Sequence, residues 1–455
     1  MNLPGAVILV VLIIVVLGAS RWVALLGMMA GVMFLTEGQP IQVIGFNLFS
    51  LRFLELAGFI RVMARHEFSF RQMNRIDGAL LLLYGYTTVV FLFRSTEGVA
   101  YQIGVAMDAF LCYFTFRGLI TGIEDVYWFL RAFIVLLVPY TLLVVFESMT
   151  DHNLFTLVGG VEGGSHWLRE GRPRCFGSFR QPDTLGMFSA SFLPMYIGLA
   201  CIAEERKRAI IGIGLCLILA WAANSGGAVS GVAAGLVCWG FWRFRTEMRK
   251  VRWGIVSVLL LLALAMKAPI WYIFQRASAI SGGDGWHRSY LIDVSYRHLS
   301  QWWLAGMPLS ETTDWFPYNL SSTGAADITN QYVAFGLAAG VVSIALFIFL
   351  LTRAFSDLGK TLAAIRSYTG QTPDAEFLLW GLGAMLTVHI VNWFGIAYFD
   401  QMYAIWFMQL AIVSGLSYHF LNYQAPVHVD ETANETSNMR SSQHEIIEIS
   451  MGLSR

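Results

Sequence analysis

Two polar stretches of this 455-residue chain concentrate side chains that could do chemistry on an anion. Residues 148–182 carry Arg169, Arg172, Arg174 and Arg180, and residues 268–328 carry Arg276, Arg288 and Arg297. A guanidinium is a planar, permanently charged fork that grips phosphate or carboxylate through two parallel hydrogen bonds. Lysine, a hydrated point charge, occurs only at Lys207, Lys250, Lys267 and Lys360. That imbalance fits bidentate phosphate recognition; it also fits codon usage that favours arginine. Arg180-Gln181-Pro182-Asp183 stands where the first stretch runs into an apolar segment. A helix opening at Pro182 would offer free N–H groups and a positive dipole end to an anion held there. The competing reading gives the same arginines to Glu162, Glu170 and Asp183 as ion pairs, or to lipid head groups.

The second stretch contains GGDGWHRSYLIDVSYRHLSQWWLAG, which predicts an amphipathic helix of about five turns. Asp284 and Arg288 are four apart, as are Asp293 and Arg297, so each pair could be a helix-surface ion pair. His287, Leu291, Val294 and His298 form one stripe, and Trp302 and Trp303 suit a membrane interface. His298, His287 and Glu162 are the groups that could take a proton near neutral pH, against ordinary packing or solvation for each. Inside apolar segments, Arg52 and Glu55 are three apart and can neutralise each other on one helix face, as a functional pair or a structural one; His389 and Asn392, also three apart, are expected to hydrogen-bond between helices, with a role in the substrate cavity as the alternative. No run of acidic residues through the apolar segments resembles a proton relay. There is no phosphate-binding loop, nucleophile elbow or HExxH motif. The five cysteines have no metal-site or disulfide spacing.

The elements that must position these groups are dictated by apolarity. The chain is 56% hydrophobic and only 13% charged, with a mean hydropathy of +0.59. A soluble domain is about a quarter charged, so this surface belongs in lipid. Apolar runs fall at about 3–18, 22–36, 43–62, 77–93, 99–121, 126–147, 183–202, 209–223, 226–243, 253–268, 329–352, 377–398 and 402–421. Hydrocarbon about 30 Å thick would be crossed about 12–13 times, with the first two runs alternatively a re-entrant pair. The expected fold is an all-α, polytopic transmembrane helix bundle. The run at 3–18 has no basic flank before it and reads as a retained span, not a cleaved leader.

Basic clusters fall after the third run (Arg61, Arg65, Arg71, Arg75), at Arg206-Lys207-Arg208, across Arg243–Arg252, and at Arg353, Lys360 and Arg366. Alternating spans put all four on one side, which the positive-inside rule makes cytoplasmic. The organisation expected is N-terminal helices (1–147), a first periplasmic loop (148–182), central helices (183–267), a large periplasmic loop (268–328), C-terminal helices (329–421) and a polar, disordered cytoplasmic tail (422–455).

Blocks in these loops, taken in order, resemble a known family. Arg174-Cys-Phe-Gly177-Ser-Phe-Arg-Gln-Pro182-Asp183 is similar to the R-x-x-G-x-F-x-N-P-N opening of a span in the O-antigen ligase and polymerase superfamily. Asn224-Ser225-Gly226-Gly227 resembles its small-residue turn. Arg288 opens the loop helix and is followed by Gly306-Met-Pro308. Thr329-Asn330-Gln331-Tyr332, with Phe335-Gly336-Leu337 and Ala339-Gly340, looks like the family's H-N-x-Y/F … G-x-x-G opening after the large loop. The resemblance covers about residues 170–350; earlier spans fit by topology only. Thr329 stands where the family has histidine, Gln181 and Asp183 replace asparagines, and no arginine follows Ser225 directly.

The resemblance implies a metal-independent, inverting glycosyltransferase of the bacterial inner membrane with its active site facing the periplasm. Its donor would be an undecaprenyl-pyrophosphate-linked glycan, with no cofactor and no nucleic acid, alongside a flippase and a chain-length regulator. Arg174 and Arg288 would hold the pyrophosphate; the loop's own residues, and not the resemblance, add His298 as a candidate catalytic residue. Arg172, Arg180, Gln181, Asp183, Arg297 and Asn330 would bind substrate. Thr329 in place of histidine favours a polymerase of repeat units for exopolysaccharide, capsule or O-antigen. The alternatives are a ligase moving glycan to lipid A-core or another acceptor, and a transporter of lipid-linked sugar.

Overall fold

The computed structural model describes residues 1–38, 41–43, 46–94, 97–160, 168–169, 171–276, 285–316, 324–369 and 373–422. Its helices, in chain order, are α1 (Leu3–Gly18), α2 (Arg21–Phe34), α3 (Ser50–Ala64), α4 (Arg75–Arg94), α5 (Val99–Leu119), α6 (Ile123–Thr150), α7 (Pro182–Ala200) and α8 (Arg206–Ala222). They continue with α9 (Gly226–Gly240), α10 (Met248–Ala265), α11 (Gly285–Arg297), α12 (Leu299–Trp302), α13 (Gln331–Thr369), α14 (Pro373–Asn392) and α15 (Gln401–Asn422). Two short antiparallel hairpins, β1 (Ile41–Val43) with β2 (Phe46–Leu48) and β3 (Leu168–Arg169) with β4 (Arg172–Pro173), are the strands among the described residues.

This is a multi-pass, all-α membrane bundle. Among the described residues six helices, α4, α5, α6, α13, α14 and α15, are long and apolar enough to cross a membrane. The pair formed by α10 and Ile270–Arg276, bent through 97°, would make a seventh. Several of the expected 12–13 crossings are short helices. The runs at α1, α2, α3, α8 and α9 yield helices of 16, 14, 15, 17 and 15 residues. At 1.5 Å per residue they reach roughly 21–26 Å, short of about 30 Å of hydrocarbon. The run at 43–62 is cut by the β1–β2 hairpin, so its helix starts only at Ser50. The five-turn loop helix stops early: α11 ends at Arg297, His298 leaves helical geometry (φ −95°, ψ 13°), and a single turn, α12, follows.

Contacts define two ends of the bundle. At one end Arg61 donates to the Val16 and Ala19 carbonyls at 2.7 Å each, Arg21 pairs with Asp125 at 2.8 Å, and Arg131 pairs with Glu205 at 2.9 Å. Buried Asp77 accepts from Tyr113 (2.5 Å) and Ser414 (2.7 Å), and Arg245 and Arg366 both meet Glu376. The basic clusters therefore share this end. At the other end the Gln401 amide donates to the Leu35 and Ser178 carbonyls, and the Trp393 carbonyl accepts from Gln331 N. Here the described parts of the two long loops lie by the start of α7 and α13 and the end of α4 and α14. The tail from residue 423 lies outside the described residues, as do Glu162, Glu170 and Asp284.

α13 is two helical segments. Ala339 (φ −154°) and Gly340 (φ 78°, ψ −174°) leave helical geometry. A Cβ on Gly340 would sit 2.4 Å from the Leu304 carbonyl oxygen and 2.6 Å from that of Trp303. Only glycine accepts this backbone and this approach. The break frees the Leu337 carbonyl, which accepts from Met307 N at 2.9 Å and from Arg94 Nη1 at 2.5 Å.

Candidate functional site

The first loop is pinned before it reaches α7. Glu147, near the end of α6, accepts from the N–H groups of Phe176 (3.0 Å) and Gly177 (2.9 Å). Gly177 has φ 58° and passes so close to Tyr140 that a Cβ would meet its hydroxyl at 2.5 Å. Asn153 holds the Gly177 carbonyl at 2.7 Å, and Cys175 N donates to the Ala222 carbonyl at 3.0 Å. The segment delivering Arg174 and Arg180 is thus fixed from both sides. Pro182 opens α7, where its preset φ and absent N–H cost nothing. Asp183, in that first turn, accepts from Ser225 and from Arg174 Nη2 (3.2 Å). Ser225 also caps α9 by accepting from Gly227 N at 3.1 Å. One carboxylate thereby ties Arg174 to the adjoining ends of α7 and α9.

Arg180 makes a two-pronged ion pair with Asp400, with Nη2 at 2.6 Å from Oδ1, and lies over the Phe399 ring. Burial alone would lower its pKa, but the Asp400 hydrogen bonds and charge more than offset this and hold it above its ordinary value. Arg288, in the first turn of α11, reaches the turn between α14 and α15. A Cβ on Gly395 would lie 2.9 Å from its Cζ.

These groups meet at one cavity of 1090 Å³ at the loop end of the bundle. Arg174, Arg180, Gln181, Asp183 and Arg288 all line it, from segments far apart in sequence. Arg169 and Arg94 line it as well; Arg94, at the end of α4, belongs to neither arginine-bearing loop. Its apolar wall includes Leu337 and Ala338 from the short segment of α13, and Ile396 to Phe399. The size is at the upper end for a small-molecule site.

Four expected site residues do not line it. Arg172 is exposed, bonds Asn224 at 3.2 Å and lies over Trp221. Arg297 points to solvent and pairs with Asp293 at 2.5 Å, the expected i,i+4 bridge. His298 donates Nδ1–H to its own helix at the Val294 carbonyl (2.9 Å) and stacks on Trp315. Asn330 is buried and caps α13, accepting from Tyr332 N (3.0 Å) and Val333 N (3.1 Å). The histidine on the cavity wall is His287. Its Nδ1 lies 3.2 Å from the Thr329 hydroxyl and its ring stacks on Phe316 at 4.6 Å.

Of the two polar pairs inside the bundle, the Arg52–Glu55 pairing is corrected, whereas His389 does hydrogen-bond between helices. Arg52 turns from Glu55 to Asp108 on α5, at 2.7 Å, because a neighbouring helix offers a carboxylate in better bidentate reach. His389 bonds Tyr398 and Gln409, while both side-chain polar atoms of Asn392 lack hydrogen-bond partners. The structure also assembles what no run of acids displayed: Glu37, Glu55, Asp108 and Asp400, from four segments, surround Arg52 beside Tyr403. Burial first, then the charges of Asp400 and Asp108, hold the Glu37 carboxyl well above the usual carboxylate range. Sequence separation hid this cluster; the lone acids in apolar or aromatic surroundings were its one signal. Among the described residues it does not form a metal-binding group.

No family model, curated protein or solved structure matches this chain.

Proposed function

We propose that the protein polymerises undecaprenyl-pyrophosphate-linked oligosaccharide repeat units at the periplasmic face of a bacterial inner membrane. The observation that carries this reading is the convergence of Arg174, Arg180 and Arg288 on one cavity at the end of the bundle away from the basic clusters. Placing the basic end in the cytoplasm puts the cavity outside. In the reaction, an acceptor sugar hydroxyl attacks the anomeric carbon of the donor. The bond from that carbon to the pyrophosphate oxygen breaks, and configuration inverts. Arg174 and Arg288 stabilise the charge that grows on the departing pyrophosphate, an electrostatic task that fixed guanidiniums perform well. Asp183 and Asp400 orient two of the forks. His287, the imidazole on the wall, is the group that takes the hydroxyl proton.

The test is to substitute Arg174 and Arg288 singly with Ala and Lys. Hydrogen bonds to charged groups contribute about 1.5–3 kcal/mol, so each alanine should lower polymer yield by roughly 10–100-fold. Lysine should rescue poorly, since a point charge cannot reproduce the fork. Normal polymer length and yield with the variant protein present in the membrane would sink the mechanism.

The ligase reading keeps support from one contact. Thr329 stands where the resemblance places a histidine, and His287 brings an imidazole to that position from another helix. A deletion strain separates the readings: single repeat units remaining mean a polymerase, whereas lipid-linked long polymer lacking its acceptor means a ligase. Accumulation of the lipid-linked unit on the cytoplasmic side would instead mean a transporter, the reading the buried acid cluster favours.

A further inference from the structure

We propose that Arg94 is a second anion-holding residue of the cavity, taking an oxyanion of the substrate pair apart from the pyrophosphate that leaves at Arg174 and Arg288. This rests on the reading of the cavity as a site for lipid-linked sugars.

Arg94 differs from the arginines whose partners define the first site. Arg174 and Arg180 each hold a carboxylate, Asp183 and Asp400. Arg94 makes no ion pair among the described residues, although it lines the same cavity and feels the charges of Glu311 and Glu97. Among the described residues its hydrogen bond runs from Nη1 to the Leu337 carbonyl, and Nε is buried without a partner. A buried charged donor left unmet is costly and rare, and an absent acceptor explains it.

The side chain is nevertheless held in place. Its guanidinium carbon lies 4.6 Å from the centre of the Phe91 ring. The carbonyl it grips is available because α13 breaks at Ala339–Gly340. Nearby, Ser310 donates to Glu97 at 2.6 Å and joins the α4–α5 turn to the second loop. Preorganisation of this kind is what an anion site needs, since the donor is ordered before the ligand arrives. A polymerase must hold two lipid-linked molecules, and only one loses its pyrophosphate. The oxyanion at Arg94 has two chemical sources: the acceptor's retained pyrophosphate, or the carboxylate of an acidic sugar. The competing role is a membrane-interface arginine, since Phe93 beside it is almost fully exposed.

The experiment uses the full chain in lipid nanodiscs. Undecaprenyl pyrophosphate, inorganic pyrophosphate and glucuronate are titrated against wild type, Arg94→Gln, Arg94→Lys and Arg174→Gln, with melting temperature recorded for each. Glutamine removes the charge and the forked donors and keeps a shorter amide N–H donor. Wild type should bind two equivalents of undecaprenyl pyrophosphate. Arg94→Gln should weaken one equivalent by about tenfold or more while Arg174→Gln weakens the other, and Arg94→Lys should recover part of the loss. Loss of glucuronate binding instead of the lipid would support the proposal with an acidic sugar as the source. Arg94-dependent glucuronate binding in a wild type that binds neither pyrophosphate probe would sustain Arg94 and defeat the polymerase reading. If the glutamine variant melts early, the lysine variant carries the comparison. Folded Gln and Lys variants that bind every probe as wild type does would overturn the proposal and leave an interface arginine.

Discussion

Replacing Gly340 with alanine tests the break in α13 directly. Gly340 has φ 78° and ψ −174°, a region essentially closed to residues with a Cβ, and holding one there costs about 1–3 kcal/mol. The new methyl would also stand 2.4 Å from the Leu304 carbonyl oxygen and 2.6 Å from that of Trp303. Both are backbone atoms and cannot swing aside as a side chain could. Overpacking of this kind adds about 1–3 kcal/mol, so the loss should total roughly 2–6 kcal/mol. For a chain of 455 residues about 1 °C is lost per kcal/mol, which gives a melting shift of roughly 2–6 °C. A thiol-reactive dye reads it, because Cys112, Cys175 and Cys216 are buried free thiols until unfolding. Gly214→Ala is the control: Gly214 lies within α8 with nothing within 4 Å of a Cβ, so alanine there should be neutral or stabilising by up to about 1 kcal/mol. Equal melting of the two variants would refute the break and, with it, the exposed Leu337 carbonyl that anchors Arg94.

Glu37→Gln should flatten the pH dependence of stability. Its folded carboxyl titrates above its unfolded one, so the folded state binds more protons and stability falls as pH rises from about 4.5 through the folded pKa. The variant should therefore match wild type near pH 4 and melt higher at alkaline pH, the gap growing by at most about 1.4 kcal/mol per pH unit; a constant gap contradicts this. Asn330→Ala should lose the α13 cap and about 1 kcal/mol. Because Asn330 does not line the cavity, a polymer assay at matched protein level should change little; collapse of activity in a well-folded variant would place it in the binding machinery.

The parts of this molecule written locally were legible. α6 ends at Thr150 and α7 begins at Pro182, close to the expected limits of the first loop, because apolarity and a helix-opening proline mark both. The four basic clusters between helices gather at one end, as the alternation of helices requires. What stayed hidden depends on contacts across the chain. Arg180 finds Asp400 at a separation of 220 residues, and Arg52 finds Asp108 at 56. Spacing along one helix pointed to Glu55 instead, since periodicity reports which face a residue shares and not which neighbour faces it. His298 and His287 sit on one sequence stripe, yet a helix that stops at Arg297 gives the first to its own backbone and the second to the cavity. Helix length was the least legible feature, because a hairpin of six paired residues inside an apolar run leaves composition almost untouched.

The acid cluster behind Arg180 couples the cavity wall to the interior of the bundle. Arg174, Arg180 and Arg288 share that wall with Glu97, Asp183 and Asp327, so it carries both signs. Asp400 pairs with Arg180 and also lies beside Glu37, whose carboxyl burial and Asp400 together hold well above the usual range. An anion that draws Arg180 away from Asp400 would therefore bear on the protonation of Glu37 as well, and the wall and the buried acids answer to one side chain.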